Sequence, residues 1–463
     1  MMKLNRLGFK IDKSNKDYDI RQIKRDLSIK PNVPKGYGPP PKPFAVYTES
    51  DNSLYIPKFF GLDLNKSFIT LKDKSTNVNI EFNGKMRDYQ EKIRSQVHNT
   101  LKKDKRTVLC LPTGYGKTAL GLKILSDLKK KTLIVVHTKY LLTQWIERIK
   151  QFLPEARIGY FYGSKCDVED KDIIIGMLQS LSLKEYSLDL FKDVGFTIVD
   201  ECHHISAQQF SKALFRISSF HMLGLSATPY RADGLTKLLY WHFGTILNPM
   251  KNHKINQDVH IDIIPYKPTI FKEVKLRYGG YNFANMTNQL CNDEKRNEII
   301  IDKIIEFSKE ERNILVLSAR IEHIKYISDK LNFLNISSGI FIGGMKSSEL
   351  DNSTTKQVIC ATYNMFKEGV DVPKLNTLIF ATPIVNITQA VGRILRKIHE
   401  DNHALVIDIW DRISQFERWG VKRQKQYKTK KFIVNNIEEE CDDDLDVDDD
   451  EKEEIEYAFS DSE

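Results

Sequence analysis

The chain has 463 residues, more than one ordinary hydrophobic core supports, and about 100 to 200 residues per domain points to two or three domains. Its formal net charge of +8 is uneven: residues 438–463 hold 16 acids and one lysine, leaving 1–437 with 69 basic and 46 acidic side chains, a net of +23. That surplus favours a polyanionic partner such as nucleic acid, with plain solubility as the other reading. The six cysteines, at 110, 166, 202, 291, 360 and 441, form no C-x-x-C pair, which argues against a zinc site or a disulfide framework. No apolar run approaches the roughly 18 residues of a membrane span and the N-terminus lacks a signal-peptide core, so a soluble intracellular protein is expected.

In chain order, residues 1–80 read as an N-terminal extension. GYGPPPKPF (36–44) is a linker or extended segment, and AVYTESDNSLYIPKFFG reads as a hairpin around its polar turn. Short runs rich in β-branched residues then alternate with helical patterns: TVLCLP (107–112), TLIVVH (132–137), DIIIGM (172–177), FTIVD (196–200) and HMLGLS (221–226). Such runs read as buried parallel strands. A second set follows, NILVLS (313–318), SGIFIG (338–343), QVICAT (357–362), TLIFAT (377–382) and ALVIDI (404–409). The pattern predicts an α/β protein with two domains in tandem, over 81–245 and 301–415, and functional loops at the C-terminal strand ends. Residues 246–300 read as the connection between them. Residues 416–437 form a basic segment with interleaved aromatics, and the acidic tail 438–463 is expected to be disordered.

The stretch LPTGYGKTAL (111–120) lies between a strand and a helix, where backbone N–H groups and the helix dipole converge on an anion. Pro112, Thr113, Gly114, Tyr115, Gly116, Lys117, Thr118 and Ala119 would cradle the phosphates of a nucleotide. Lys117 would reach the β and γ phosphates and Thr118 would ligate Mg²⁺. The usual phosphate loop has a glycine where Leu111 stands, and a chance G-x-G-K-T would be an even bet if the loop stood alone. The strand FTIVD, however, ends in Asp200-Glu201, 83 residues after Lys117. Asp200 would hold the Mg²⁺ and Glu201 would orient and deprotonate the water attacking the γ phosphate. A surface acid pair is the bland alternative, but an unpaired charge after so apolar a strand is costly. His203 fits a polar coupling role and His204 a structural one.

In combination, these motifs resemble the superfamily 2 helicases and translocases over roughly residues 82–410. In that family the loop often lacks its first glycine. The resemblance implies two tandem RecA-like domains, ATP as the cofactor, and nucleic acid as the partner. MRDYQ (86–90) is similar to the adenine-reading element, with Gln90 on the adenine edge, supported by Arg87 or Tyr89. SAT (226–228) is similar to the element linking hydrolysis to strand movement. In ATYNMFKEGVDVP (361–373), Thr362, Gly369 and Asp371 match an element that touches nucleotide and nucleic acid. QAVGRILR (389–396) is similar to the arginine-finger helix, which makes Gln389, Arg393 and Arg396 catalytic; the two arginines would share one helical face and point at the γ phosphate. Phosphate-backbone contacts are implied around HTKYLLTQW (137–145), Gln179 and Ser180, and Ser318 to Arg320, as well as at Thr362. Trp145 and Trp241 could stack on bases, although such aromatics are more often core.

DECHH, MRDYQ and LGLSATPYRADG (223–234) resemble the branch containing the excision-repair helicase of the general transcription machinery, the phage recombination helicase and the poxvirus transcript-release helicase. Arg231 and Asp233 match its R-x-D element. That branch implies movement on duplex DNA, in viral transcription or repair. The ratio of 51 lysines to 19 arginines fits an AT-rich genome. The compact architecture resembles large DNA virus members, which implies the host cytoplasm and the virion. An ATP-dependent RNA helicase is the alternative enzyme, and a non-catalytic nucleic-acid-binding adaptor is the alternative of another class. Intact Lys117, Glu201 and Arg396 speak against the adaptor. For the acidic tail, solubilisation, competition with DNA for the basic residues 418–431, and docking of a transcription or repair protein all stay open.

Overall fold

A computed structural model describes residues 2–32, 42–64, 67–112, 114–206, 208–231, 233–250, 257–277, 280–367, 372–397 and 402–435. Thr113, Gly369, Asp371 and the acidic tail lie outside them. The described residues up to 250 form one compact unit and those from 257 a second. Among the described residues, no helix is long and apolar enough to cross a membrane.

In the first unit, an eight-stranded sheet is built from β1 (Arg106–Cys110), β2 (Thr132–Val136), β3 (Ile158–Tyr162), β4 (Lys165–Asp167), β5 (Ile173–Met177), β6 (Phe196–Asp200), β7 (His221–Ser226) and β8 (Ile246–Leu247). The order is β4-β3-β5-β2-β6-β7-β1-β8, parallel throughout except for the β4 edge. The predicted apolar runs are all present. Alternate residues feed two cores: Leu109, Ile134, Ile198 and Leu223 face one layer, and Val108, Val135, Val199 and Met222 the other. Burial on both faces explains why these strands read as unbroken apolar runs rather than alternating ones. With the strands parallel, the loops after β1, β2, β6 and β7 leave the same edge of the sheet.

The described residues between 2 and 70 of the same unit contribute a smaller sheet, ordered Thr48–Glu49, Ser53–Ile56, Gly8–Asp12, Met2–Asn5, Phe68–Thr70. The predicted hairpin is its first pair. Its core of Met2, Phe9, Leu54 and Ile56 is closed by Leu235 and Leu238, the latter on the helix Thr236–Phe243. Arg106, fully buried at the start of β1, donates to the carbonyls of Arg6, Ser219 and His242. A guanidinium distributed over three carbonyls thus ties the small sheet to the large one.

The second unit has a seven-stranded parallel sheet made of β9 (Val259–Tyr266), β10 (Ile314–Ser318), β11 (Ser338–Phe341), β12 (Val358–Thr362), β13 (Thr377–Phe380), β14 (Ala404–Asp411) and β15 (Ile433–Val434), in the order β11-β12-β10-β13-β14-β9-β15. Residues 246–300, expected as a connection, therefore supply strand β9, which pairs with β14 over its whole length. The basic segment also differs from expectation. It continues the helix Ser414–Lys430, whose inner face carries Trp419, Arg423 and Tyr427 into the core. Arg423 forks onto Asp408 of β14 and donates to the Ile384 carbonyl, and the Tyr427 hydroxyl donates to the same carboxylate. A second buried pair joins Arg296 to Asp411.

Removing one partner of such a pair leaves a buried charge uncompensated. Arg423→Ala is expected to destabilise the protein by about 3–5 kcal/mol, read from the urea midpoint of the transition that reports the second unit. A loss no larger than that of a surface Lys→Ala control would contradict this assignment.

Candidate functional site

The loop after β1 turns through Gly114 and Gly116, both with positive φ, at +86° and +76°. Gly116 is the N-cap of the helix Lys117–Leu128, and no side chain caps it, so the first-turn N–H groups face the turn. The positive φ favours glycine here, and a Cβ on Gly116 would stand 2.4 Å from Gln90 Nε2 and push that carboxamide aside. Pro112 and Gly114 are exposed, and Tyr115, Thr118 and Ala119 are half-buried. Lys117 Nζ donates to the Leu111 carbonyl at 3.1 Å and lies 3.9 Å from Glu201 Oε1. The loop after β1 and the acids after β6 therefore meet at one edge of the sheet, as the sequence spacing predicts.

Gln90 sits in the first turn of the helix Asp88–Asp104, with its carboxamide drawn into the protein. Its oxygen accepts from Arg87 N at 3.0 Å and its nitrogen donates to the Tyr115 carbonyl at 3.3 Å. A carboxamide has a further hydrogen and lone pair beyond these two bonds, so the same group can brace the loop and read a base edge. The Tyr89 ring meets that of Tyr115 edge to face at 5.8 Å, and Arg87 donates to the Tyr89 hydroxyl.

Asp200 is buried at the end of β6, and Glu201 follows with φ +44°, a left-handed conformation uncommon for any residue but glycine. The turn carries the chain into the 3₁₀ helix Cys202–Ser206. Asp200 Oδ1 accepts from Glu201 N at 3.0 Å, and Oδ2 accepts from the Trp145 indole at 2.8 Å. Burial, followed by the Glu201 carboxylate, pushes the Asp200 carboxyl up to about 6. His203 Nδ1 lies 3.0 Å from Ser226 Oγ and 3.4 Å from Glu201 Oε2. Burial holds His203 down to about 4, so its ring is neutral near pH 7. Ser226 Oγ also accepts from Thr228 N, which joins the SAT element to the acids. Arg231, forked onto Asp233, donates to the His203 carbonyl at 3.0 Å.

Trp145 is fully buried against the first core cluster and cannot stack on a base. Its bond to Asp200 was not legible in sequence, because an apolar position at helical spacing reads as core alone. Trp241 packs edge to face on Phe60 at 5.3 Å within the N-terminal core. Gln179 Nε2 donates to the His137 carbonyl, and Ser180 Oγ accepts from Gly163 N.

In the second unit, Gln389 and Arg393 lie on the helix Thr388–Ile394, which ends before Arg396, so the two arginines do not share a helical face. Arg393 is buried, with its guanidinium 5.6 Å from the centre of the Phe366 ring. Ser318 is buried too. Its hydroxyl is shared with His323 Nδ1 and accepts from Arg320 N, a structural role in place of the expected backbone contact. Arg320 donates to Asn288 Oδ1 and the Ala284 carbonyl, and Thr362 is half-buried at the end of β12.

The family profile described as "Type III restriction enzyme, res subunit" matches residues 83–231, the stretch holding the loop, both acids and Arg231. A protein of Acanthamoeba polyphaga mimivirus named as an ATP-dependent RNA helicase is 33% identical over 451 residues, covering 93% of this chain and 86% of its own. A protein of Invertebrate iridescent virus 6 named as a helicase is 27% identical over 423 residues, covering 83% of this chain and 90% of its own. An African swine fever virus protein named as an ATP-dependent RNA helicase is 26% identical over 383 residues, covering 75% of this chain and 73% of its own. The motifs and these relatives agree: the chain belongs to the superfamily 2 helicases, as an ATP-dependent nucleic-acid helicase of the large DNA virus type.

Proposed function

We propose that this helicase is a DNA translocase of viral transcription or repair, and that it hydrolyses ATP at the edge formed by the loop after β1 and the acids after β6. The observation that carries the hydrolytic reading is the approach of Lys117 to Glu201 beside buried Asp200. Adjacent carboxylates in a dry setting, one with its proton affinity raised, suit a divalent cation, and Thr118 opens the neighbouring helix with a hydroxyl. Asp200 and Thr118 are the residues assigned to Mg²⁺, which when bound would neutralise developing phosphate charge. Lys117 and the N–H groups of the glycine turn bind the phosphates, Gln90 braces the turn and reads the base, and Glu201 takes the proton from the attacking water. His203, neutral and linked to Ser226, orients Glu201. Within the second unit, Gln389, Arg393 and Arg396 are assigned to the hydrolytic step by family resemblance alone, as are Gly369 and Asp371 to nucleotide binding.

DNA is favoured over RNA by the LGLSATPYRADG stretch and by the family profile, which bears the name of a restriction-enzyme subunit. The names of the mimivirus and African swine fever virus relatives favour RNA as the second reading.

Two measurements test the proposal. Lys117→Ala is expected to abolish ATP turnover, and Glu201→Gln to lower it by about 100-fold or more while still binding nucleotide. Near-normal turnover in either variant would refute the assigned site. ATPase rates with no polymer, single-stranded DNA, duplex DNA or RNA separate the substrates. Duplex DNA is expected to stimulate most, and stimulation by RNA alone would overturn the DNA reading.

A further inference from the structure

The segment running from the end of β2 into the helix Lys139–Phe152 is linked to the acidic pair at both of its ends, through two further histidines at one and directly at the other. At its start, the buried His137 ring lies 4.2 Å from His204, with the planes 33° apart. His204 is in turn 4.2 Å from His203, 36° apart, so three imidazoles form one column with His204 in the middle. The column ends on Glu201, which lies 3.4 Å from His203 Nδ1. Eight residues beyond His137, Trp145 bonds the other acid, Asp200, at 2.8 Å. Between these inward contacts, Lys139 and Thr143 are exposed. The far side of the His137 turn is held by Gln179, so His137 is clamped between a second loop of the same sheet edge and the acids. Neither acid reaches the surface of this segment directly. The segment reaches both of them through side chains that a packed interior cannot shift independently.

We propose that the His137–His204–His203 column and the Trp145–Asp200 bond transmit occupancy of segment 137–145 by a nucleic-acid backbone to the placement of the two acids. His204 and Trp145 then position the acids for the polymer-stimulated rate, His204 without a part in unstimulated turnover. The proposal rests on the assignment of Asp200 and Glu201 made above. It extends that assignment by giving a role to His204, whose ring wedges between those of His137 and His203. The stack needs two flat faces, which a phenyl ring supplies and an alanine does not.

The test compares full-length His204→Ala, His204→Asn and His204→Phe with the parent protein, in steady-state ATPase assays without polymer and at saturation with whichever polymer stimulates the parent most. Polymer binding is followed in parallel by fluorescence anisotropy. For His204→Ala the unstimulated rate is expected to stay near that of the parent while the fold stimulation drops by about fivefold or more, at retained polymer affinity. His204→Phe is expected to restore most of the stimulation. Should His204→Ala fail to fold, His204→Asn, which also lacks a ring, must show the same separation. Parent-like stimulation, a fall of both rates by one common factor, or loss of polymer binding would each overturn the coupling. Glu201→Gln serves as the reference. If it turns over at a near-normal rate, the site assignment fails; if its turnover falls as expected while His204→Ala is stimulated like the parent, only the coupling fails.

Discussion

Two consecutive carboxylates, Asp200 and Glu201, stand at the end of a strand whose five residues are all buried. Withdrawing one such group from water is costly, and a second beside it adds repulsion, which raises the proton affinity of Asp200. The structure around the pair can be read as a set of answers to that cost. The Trp145 indole and the N–H of Glu201 satisfy Asp200, and Lys117 brings a positive charge toward Glu201. Glu201 itself is turned out of the sheet by a left-handed backbone conformation. Lys117 brings one positive charge to two carboxylates, 3.9 Å from the nearer oxygen of Glu201, and the divalent cation proposed above would supply the remainder.

The order of strands determines who can take part. With β7 between β6 and β1, the loop after β7 lies between the acids and the glycine turn, and it contributes Ser226 and Arg231 to the histidine that follows the acids. On the other side of β6, β2 delivers His137 and, one helix later, Trp145. The same loop that carries Arg231 leads through Asp233 into the helix that closes the core of the N-terminal sheet. The small N-terminal sheet is therefore packed onto the continuation of the site rather than appended at a distance.

Much of this was legible in sequence because fully buried parallel strands leave long β-branched runs, and because a glycine turn and paired acids can be placed on strand ends by spacing alone. The strand Ile158–Tyr162 went unread, since it alternates buried and half-buried positions and borders an antiparallel edge. VHIDIIPY falls in the stretch read as a connection, because its partner β14 lies well over a hundred residues away and local pattern carries no pairing information. Arg423 looked like part of a basic surface; its partner Asp408 lies in a strand read as apolar, and only the fold joins them. The shared face expected of Arg393 and Arg396 failed because the helix ends at Ile394. Ser318 differs in the opposite direction from Arg423: expected at the nucleic acid, it turns inward, while Trp145 takes the core position that such aromatics more often hold.

The central claim is that the edge proposed for nucleotide in the first unit and the segment 137–145 proposed for nucleic acid form one coupled network, and reciprocity of binding tests it most directly. The affinity of a non-hydrolysable ATP analogue with Mg²⁺ is measured with and without the stimulating polymer, and the affinity of that polymer with and without the analogue. The account predicts that each ligand changes the affinity of the other by the same factor, and by clearly more than one. Two affinities that are each indifferent to the other ligand would contradict it.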